Sequence, residues 1–240
     1  MATILCAADD HLLTDLLCYA LTRQGFRVHV AHKGRQAQQI MRMEPIDLVL
    51  LDANLPDISG VEVLSLLRKV WATPVVMLSP STPEEDVIAW FQRGADGYMA
   101  RPFNMQVLIA QITAILRRVE PLAHTTTAAP ASGTIYQLPG VHFDAGRNQI
   151  VSQGRCLALT PCESRILHLL CLHRGHVFPA ERILEQVWGY DSTSSANVVK
   201  SHIARLRFKI STLSDEANAI RTLPGAGYMV PRDDASDAAA

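Results

Sequence analysis

Apolar residues in the first 118 positions gather into five short runs: Ile4 to Ala8, Phe26 to Val30, Asp47 to Leu51, Pro74 to Ser79 and Gly97 to Met99. The stretches between them carry amphipathic, helical spacing. Strand-length runs that are apolar on both faces fit a parallel sheet covered by helices on each side, so the pattern predicts five βα units. From Val119 to Gly133 the periodicity stops and Thr, Ala, Pro and Ser fill the chain, as in a solvated linker. Beyond it, Ile135 to Leu159 reads as short strands broken by turn residues. Helical patterns near 161–173, 180–188 and 195–210 follow, and then a hairpin over "IRTLPGAGYMV". The expected fold class is therefore α/β, a doubly wound five-stranded parallel domain, followed by a smaller α+β domain. The boundaries fall at 1–120, 121–133 for the linker, 134–232 for the second domain and 233–240 for an acidic tail.

A chain of 240 residues gives each of two domains enough length to bury a core. Cys6, Cys18, Cys156, Cys162 and Cys171 are odd in number, show no C-x-x-C spacing and sit mostly among apolar neighbours. They read as reduced core thiols. The first residues lack a signal-peptide pattern and no run is long enough to span a bilayer. A soluble, cytoplasmic protein with no membrane partner is expected. The net charge of −1 hides an asymmetry: residues 121 to 232 hold 7 acids and 11 bases, a net of +4, which is permissive for nucleic acid.

In open parallel sheets, ligands bind outside the carboxyl ends of the strands. Those ends carry Asp9 and Asp10, Asp52, Ser79 and Arg101. Facing acidic corners repel unless a hard divalent cation lies between them, and a carboxylate beside such a metal can accept a phosphoryl group. On position alone, the same aspartates are equally ordinary loop residues.

The segments "ILCAADD", "IDLVLLDANLPDISG", "TPVVMLSPS", "GADGYMARPF", "LTPCESRILHLL", "QVWGY", "VVKSHIARLRFKI" and "TLPGAGY" together resemble the OmpR/PhoB family of response regulators. The resemblance covers nearly all of the chain apart from the linker and tail. It implies a receiver domain followed by a winged helix-turn-helix, acting as a sequence-specific DNA-binding regulator and not as a metabolic enzyme. By resemblance, Asp52 matches the phospho-accepting aspartate and Asp9 a metal-binding acid. Asn54 matches the residue whose backbone carbonyl binds Mg²⁺, while Ser79 and Tyr98 match the switch positions. The Arg101-Pro102 bond matches a peptide that is usually cis in receivers.

Three departures fall on this site. The family's acidic pair aligns with Ala8 and Asp9, so a carboxylate is missing unless Asp10 replaces it. Pro80, which has no N–H, follows the switch hydroxyl where a backbone donor to the phosphoryl group is usual. Arg101 stands where the family carries lysine, a planar fork in place of a compact ammonium. Mg²⁺ binding is expected to be weak and no cofactor is required. The resemblance also implies dimerisation through the face of helix four, strand five and helix five. Its apolar patch aligns with Ile88, Phe91 and Ile109, and Trp90 extends it. The flanking positions hold Val87, Gln92, Gly97, Val107, Gln111 and Thr113 where charges are usual. Apolar residues spare an interface the desolvation of ion pairs. The expectation is a homodimer that forms without phosphate. A conventional regulator phosphorylated on Asp52 by a sensor histidine kinase stays open as the alternative.

In the second domain, Thr160-Pro161-Cys162-Glu163 is a capping box that fixes a helix start. His168, His173 and His176 read as helix-end and loop residues. Val199, Ile203, Leu206 and Ile210 recur at helical spacing, leaving Asn197, Lys200, Ser201, Ala204 and Arg205 opposite, and no acid falls between 192 and 214. Such a helix suits the major groove of double-stranded DNA. By resemblance, Val198, Ser201 and Arg205 would face base edges, with Lys200 on the same cationic face. Asn197, His202 and Arg207 would hold phosphates, as would Thr222 in the wing. Pro224 stands where a minor-groove arginine is often found. RNA polymerase is a further partner that the family implies.

Overall fold

The computed structural model describes residues 1–80, 83–119, 134–188, 196–214 and 219–232; the expected linker at 121–133 and tail at 233–240 lie outside the described residues. The chain divides into two units, Met1–Glu120 and Pro121–Ala240.

Among the described residues of the first unit, five parallel strands alternate with helices in the order β1 (Thr3–Ala7), α1 (His11–Arg23), β2 (Arg27–Ala31), α2 (Gly34–Met43), β3 (Leu48–Asp52), α3 (Gly60–Leu67), β4 (Val75–Pro80), α4 (Glu84–Arg93), β5 (Gly97–Arg101) and α5 (Met105–Val119). The sheet order is β2-β1-β3-β4-β5. Strands β1 and β3 are buried along their whole length, as strands sandwiched between two helical layers must be. The strand ends of β1, β3, β4 and β5 thereby converge on one edge, where Asp9, Asp52, Ser79 and Arg101 lie. The last strand continues past the expected Met99 to Arg101, so Arg101 belongs to the sheet itself, paired with Pro80.

Two polar contacts that pattern reading does not reveal brace this unit. Asp96 is fully buried and receives Arg68 Nη2 at 2.7 Å and the Val75 N–H at 3.0 Å, tying α3 to the starts of β4 and β5. Arg68 also donates to the carbonyls of Gly94 and Thr73. The loop after β3 returns through Asp57, whose carboxylate accepts from the N–H groups of Gly34 and Arg35 at the start of α2. Gly60 opens α3 where a Cβ would stand 2.0 Å from the Asp52 carbonyl oxygen, so only glycine lets the helix start beneath the strand end.

The second unit begins with a four-stranded antiparallel sheet, β6 (Ile135–Leu138), β7 (Val141–Asp144), β8 (Gln149–Ser152) and β9 (Arg155–Ala158), with neighbours in chain order. Helices α6 (Pro161–Leu172), α7 (Ala180–Trp188) and α8 (Ala196–Leu213) follow, and β10 (Arg221–Leu223) pairs antiparallel with β11 (Gly227–Met229). This is an α+β winged helix-turn-helix. Its core gathers Phe143, Ile166, Leu170, Ile183, Val199, Ile203 and Leu206. The hairpin does not hang free: Phe178 and Tyr228 exchange backbone hydrogen bonds of 2.9 Å, fastening it to the connection between α6 and α7.

All the cysteines are free. Cys6, Cys162 and Cys171 are buried, and burial pushes the Cys6 thiol up to about 12, with the neighbouring Cys18 adding to it. Cys156 departs from the expected core placement, since it lies exposed on β9. No helix among the described residues is long and apolar enough to cross a membrane.

Gly227 tests the hairpin's attachment. Its φ is +139° and a Cβ there would stand 2.0 Å from the Phe178 carbonyl oxygen. Gly227→Ala is expected to destabilise the second unit by roughly 2 kcal/mol or more. Gly225→Ala, with the same φ sign but open space around it, should cost less. Chemical denaturation of the two variants checks the order.

Candidate functional site

At the strand edge of the first unit, Asp52 is buried and both of its oxygens are engaged. Oδ1 accepts the Asn54 N–H at 2.9 Å, and Oδ2 meets Arg101 Nη2 at 3.1 Å. Lost hydration raises the Asp52 pKa above the ordinary carboxylate value, and the charges of Asp10 and Asp9 add to the rise. The Asn54 N–H and Arg101 pull it down without cancelling it. The ion pair and the upward shift look contradictory, but a largely buried carboxylate loses more in hydration than one partly exposed guanidinium returns.

Asp9 and Asp10 are both exposed, and Asp10 is already used, since its Oδ1 caps α1 by accepting the Leu13 N–H at 3.1 Å. Ala8, which stands where the family pattern would place an acid, is 1 % exposed, with its N–H on the Ala31 carbonyl. Among the described residues, no group of three or more His, Cys, Asp or Glu side chains is placed to hold a metal ion. Arg101 lies on one Asp52 oxygen and Asp10 caps its own helix, so Asp9 and Asp52 are the carboxylates left at this corner. Ser79 is buried at the end of β4 and Pro80 follows it in the strand. Arg101-Pro102 is cis.

The α4–β5–α5 face differs from expectation at Trp90 and Phe91. These are 5 % and 1 % exposed, so they belong to the unit's own interior and not to an outward patch. The phase of α4 puts both residues on its buried side, and Trp90 lies against Tyr98, with ring centres 5.4 Å apart. Gly97 is also buried, with the Gln111 amide 3.2 Å from where its Cβ would be. Val87, Ile88, Ile109 and Gln111 are partly exposed, and Val107 is 55 % exposed.

The second unit turns on Glu163. It is fully buried at the third position of α6, where its side chain closes the capping box by accepting the Thr160 N–H at 2.9 Å. Two cations from α8 reach it as well: Arg205 Nη2 at 3.1 Å from Oε1 and Lys209 Nζ at 2.7 Å from Oε2. Lys209 also donates to the Ala158 carbonyl at the end of β9. Desolvation pushes the Glu163 carboxyl up, but Arg205, Lys209 and the Thr160 N–H outweigh it and hold the pKa below the ordinary range.

This arrangement corrects part of the expected DNA-facing surface. Val198, Ser201 and His202 are 2 %, 4 % and 0 % exposed, so they pack inside the domain. Ser201 Oγ donates to the Asn197 carbonyl, and the His202 ring lies 5.2 Å from that of Trp188. Arg205 is turned inward to Glu163. Arg207 donates to the Ile220 carbonyl and to Thr222 Oγ1 at 2.7 Å, joining α8 to the wing. The outward face of α8 is instead Asn197, Lys200, Ala204 and Phe208, of which Phe208 is 73 % exposed. Helical spacing from Ala204, itself on the expected face, reaches Phe208 four residues later. That signal was available, but an aromatic residue on a cationic helix reads more readily as core. In the wing, Thr222 and Pro224 are exposed.

His173 and His176 pack their rings on Phe178, with centres 5.6 and 4.9 Å away, beside an open cavity of about 710 Å³ lined also by Arg174, Arg182 and Arg232. His168 lies edge-on to Tyr136. Burial, with Arg165 and His173 nearby, holds its pKa below the usual imidazole value.

Fold and site define a two-module regulator, a receiver followed by a winged-helix output domain. Comparison with known proteins agrees. Residues 4–113 match the response regulator receiver domain, and residues 154–230 match the C-terminal domain of transcriptional regulatory proteins. The transcriptional regulatory protein CpxR of Klebsiella pneumoniae is 36% identical over 96% of this chain and 98% of its own length. The DNA-binding response regulator MtrA of Mycolicibacterium smegmatis is 34% identical over 94% of this chain and 95% of its own length. A solved structure of a RitR cysteine variant covers 97% of this chain and 100% of its own, at 25% identity and a TM-score of 0.75. The chain belongs to the OmpR/PhoB family of response regulators, as a DNA-binding transcriptional regulator.

Removing the charge at Glu163 tests the assignment of the buried triad. Glu163→Gln leaves Arg205 and Lys209 without a counter-charge and is expected to cost about 3 to 5 kcal/mol in the second unit. The native carboxyl is depressed on folding, so its contribution is complete above its ordinary value of 4.5 and is lost as pH falls through the folded pKa. Denaturation curves from pH 7 to 3 should show the parent losing stability at the acid end and Glu163→Gln changing less.

Proposed function

We propose that this regulator dimerises through the α4–β5–α5 face of its receiver and binds DNA without needing aspartyl phosphorylation. The observation that carries this reading is the Arg101 guanidinium 3.1 Å from Asp52 Oδ2, one of the two oxygens that could accept a phosphoryl group. Three features support it. The missing acid at Ala8 and the capping role of Asp10 remove carboxylates from the cation's corner. Pro80 offers no N–H after Ser79. The receiver's outward face presents Val107, Val87, Ile88 and Ile109, where an apolar contact forms without desolvating ion pairs.

DNA is bound by α8 entering the major groove, with the β10–β11 hairpin beside it. Homodimerisation aligns two such helices on paired half-sites, and RNA polymerase is the partner that reads the result. A conventional phosphorelay from a sensor histidine kinase to Asp52 is the competing account. It draws on the retained Asp52, Asp9 and Ser79.

Size-exclusion chromatography with light scattering separates the two. The parent and an Asp52→Ala variant are each run at micromolar concentration, with and without Mg²⁺ and a small phosphodonor. The expected result is a dimer in all four samples, and a tenfold or larger rise in the dimer dissociation constant for Val107→Asp. A parent that is monomeric until the donor is added, beside an unresponsive Asp52→Ala, would establish the phosphorelay instead.

A further inference from the structure

Resting on the reading of α8 as the DNA-entering helix, we infer that this helix selects A·T base pairs, chiefly through thymine methyl groups met by Ala204 and Phe208. The side chains that most often read guanine are arginines, and both arginines of α8 are committed elsewhere. Arg205 is paired with buried Glu163, and Arg207 is bonded to Ile220 and Thr222 of the wing. What faces outward is a stripe of Asn197, Lys200, Ala204 and Phe208, all within one third of the helix circumference.

This set has a definite chemistry in the major groove. An Asn amide pairs with the N6 and N7 edge of adenine, and Ala or Phe makes apolar contact with the C5 methyl of thymine. Each of these contacts favours an A·T pair, one by its adenine and the other by its thymine. Ala204 is small enough to let the helix axis approach the bases. Phe208, one turn further on, carries an apolar ring that is 73 % exposed. The occupant of this face is set by charge. No acid occurs from 192 to 214, and Lys200 stands beside the apolar pair, so the surface complements a polyanion with methyl groups in its groove. Lys200 supplies a point charge to the phosphates or to a flanking base.

The test uses the full chain. A duplex is first enriched from a randomised pool, and its thymines are then replaced singly by deoxyuridine, which deletes only the 5-methyl group. Affinities are read by fluorescence anisotropy for the parent and for Phe208→Ala. Removal of a buried methyl is expected to weaken parent binding roughly fourfold at one thymine or more in each half-site. Phe208→Ala should bind the thymine duplex more weakly, lose the difference between thymine and deoxyuridine, and keep the parent's melting temperature because the ring is exposed. Enrichment of a duplex whose deoxyuridine forms bind as well as the original overturns the inference and leaves the DNA-binding reading intact. So does a Phe208→Ala variant that keeps full methyl sensitivity, or one that loses only cooperativity between half-sites, which would place the ring against a second protein molecule. Failure to enrich any duplex overturns the DNA-binding reading, and this inference falls with it.

Discussion

A single buried carboxylate organises the output module. Glu163 has no access to water, so its charge persists only because the Thr160 N–H, Arg205 and Lys209 all converge on it. Those partners come from the start of α6 and from successive turns of α8, and Lys209 extends the contact to the end of β9. The rotation of α8 about its axis follows from this. With Arg205 and Lys209 turned toward Glu163, Val199, Ile203 and Leu206 fall into the core and Ala204 and Phe208 turn outward. Buried ion clusters are weak sources of net stability but strong determinants of arrangement, and here the arrangement is which residues face outward.

The receiver shows a comparable economy at its strand edge. A site that transfers phosphoryl groups needs open oxygen lone pairs, a concentrated negative corner and donors aimed at the incoming group. In this chain that edge carries an Arg on one Asp52 oxygen, a helix cap on Asp10 and a proline after Ser79.

The fold was largely legible in the sequence because both of its periods are strong. Strands buried on two faces leave unbroken apolar runs, and the capping box at Thr160 marks a helix start to the residue. The site was legible only as a set of positions. Direction was not, because which way a helix turns depends on partners distant in sequence: Arg205 reads as a base-contacting residue until Glu163, forty-two positions earlier, is seen to claim it. The same holds for Val198, Ser201 and His202, whose place inside depends on packing around Trp188 and the core. Trp90 and Phe91 were misplaced for a related reason. A family alignment transfers positions on a face, while burial is decided by the volumes of this chain's own neighbours.

The bonds from Arg207 to Ile220 and Thr222 bear on how the protein meets a duplex. They join α8 to the hairpin, and the Phe178 and Tyr228 backbone pair fastens the hairpin in turn to the connection between α6 and α7. Elements joined beforehand spend less conformational freedom on docking. The same bonds set the separation between α8 and the wing before any DNA arrives, so a duplex that does not match that separation would itself have to bend or twist to meet both. Selection by duplex shape then accompanies selection by base identity.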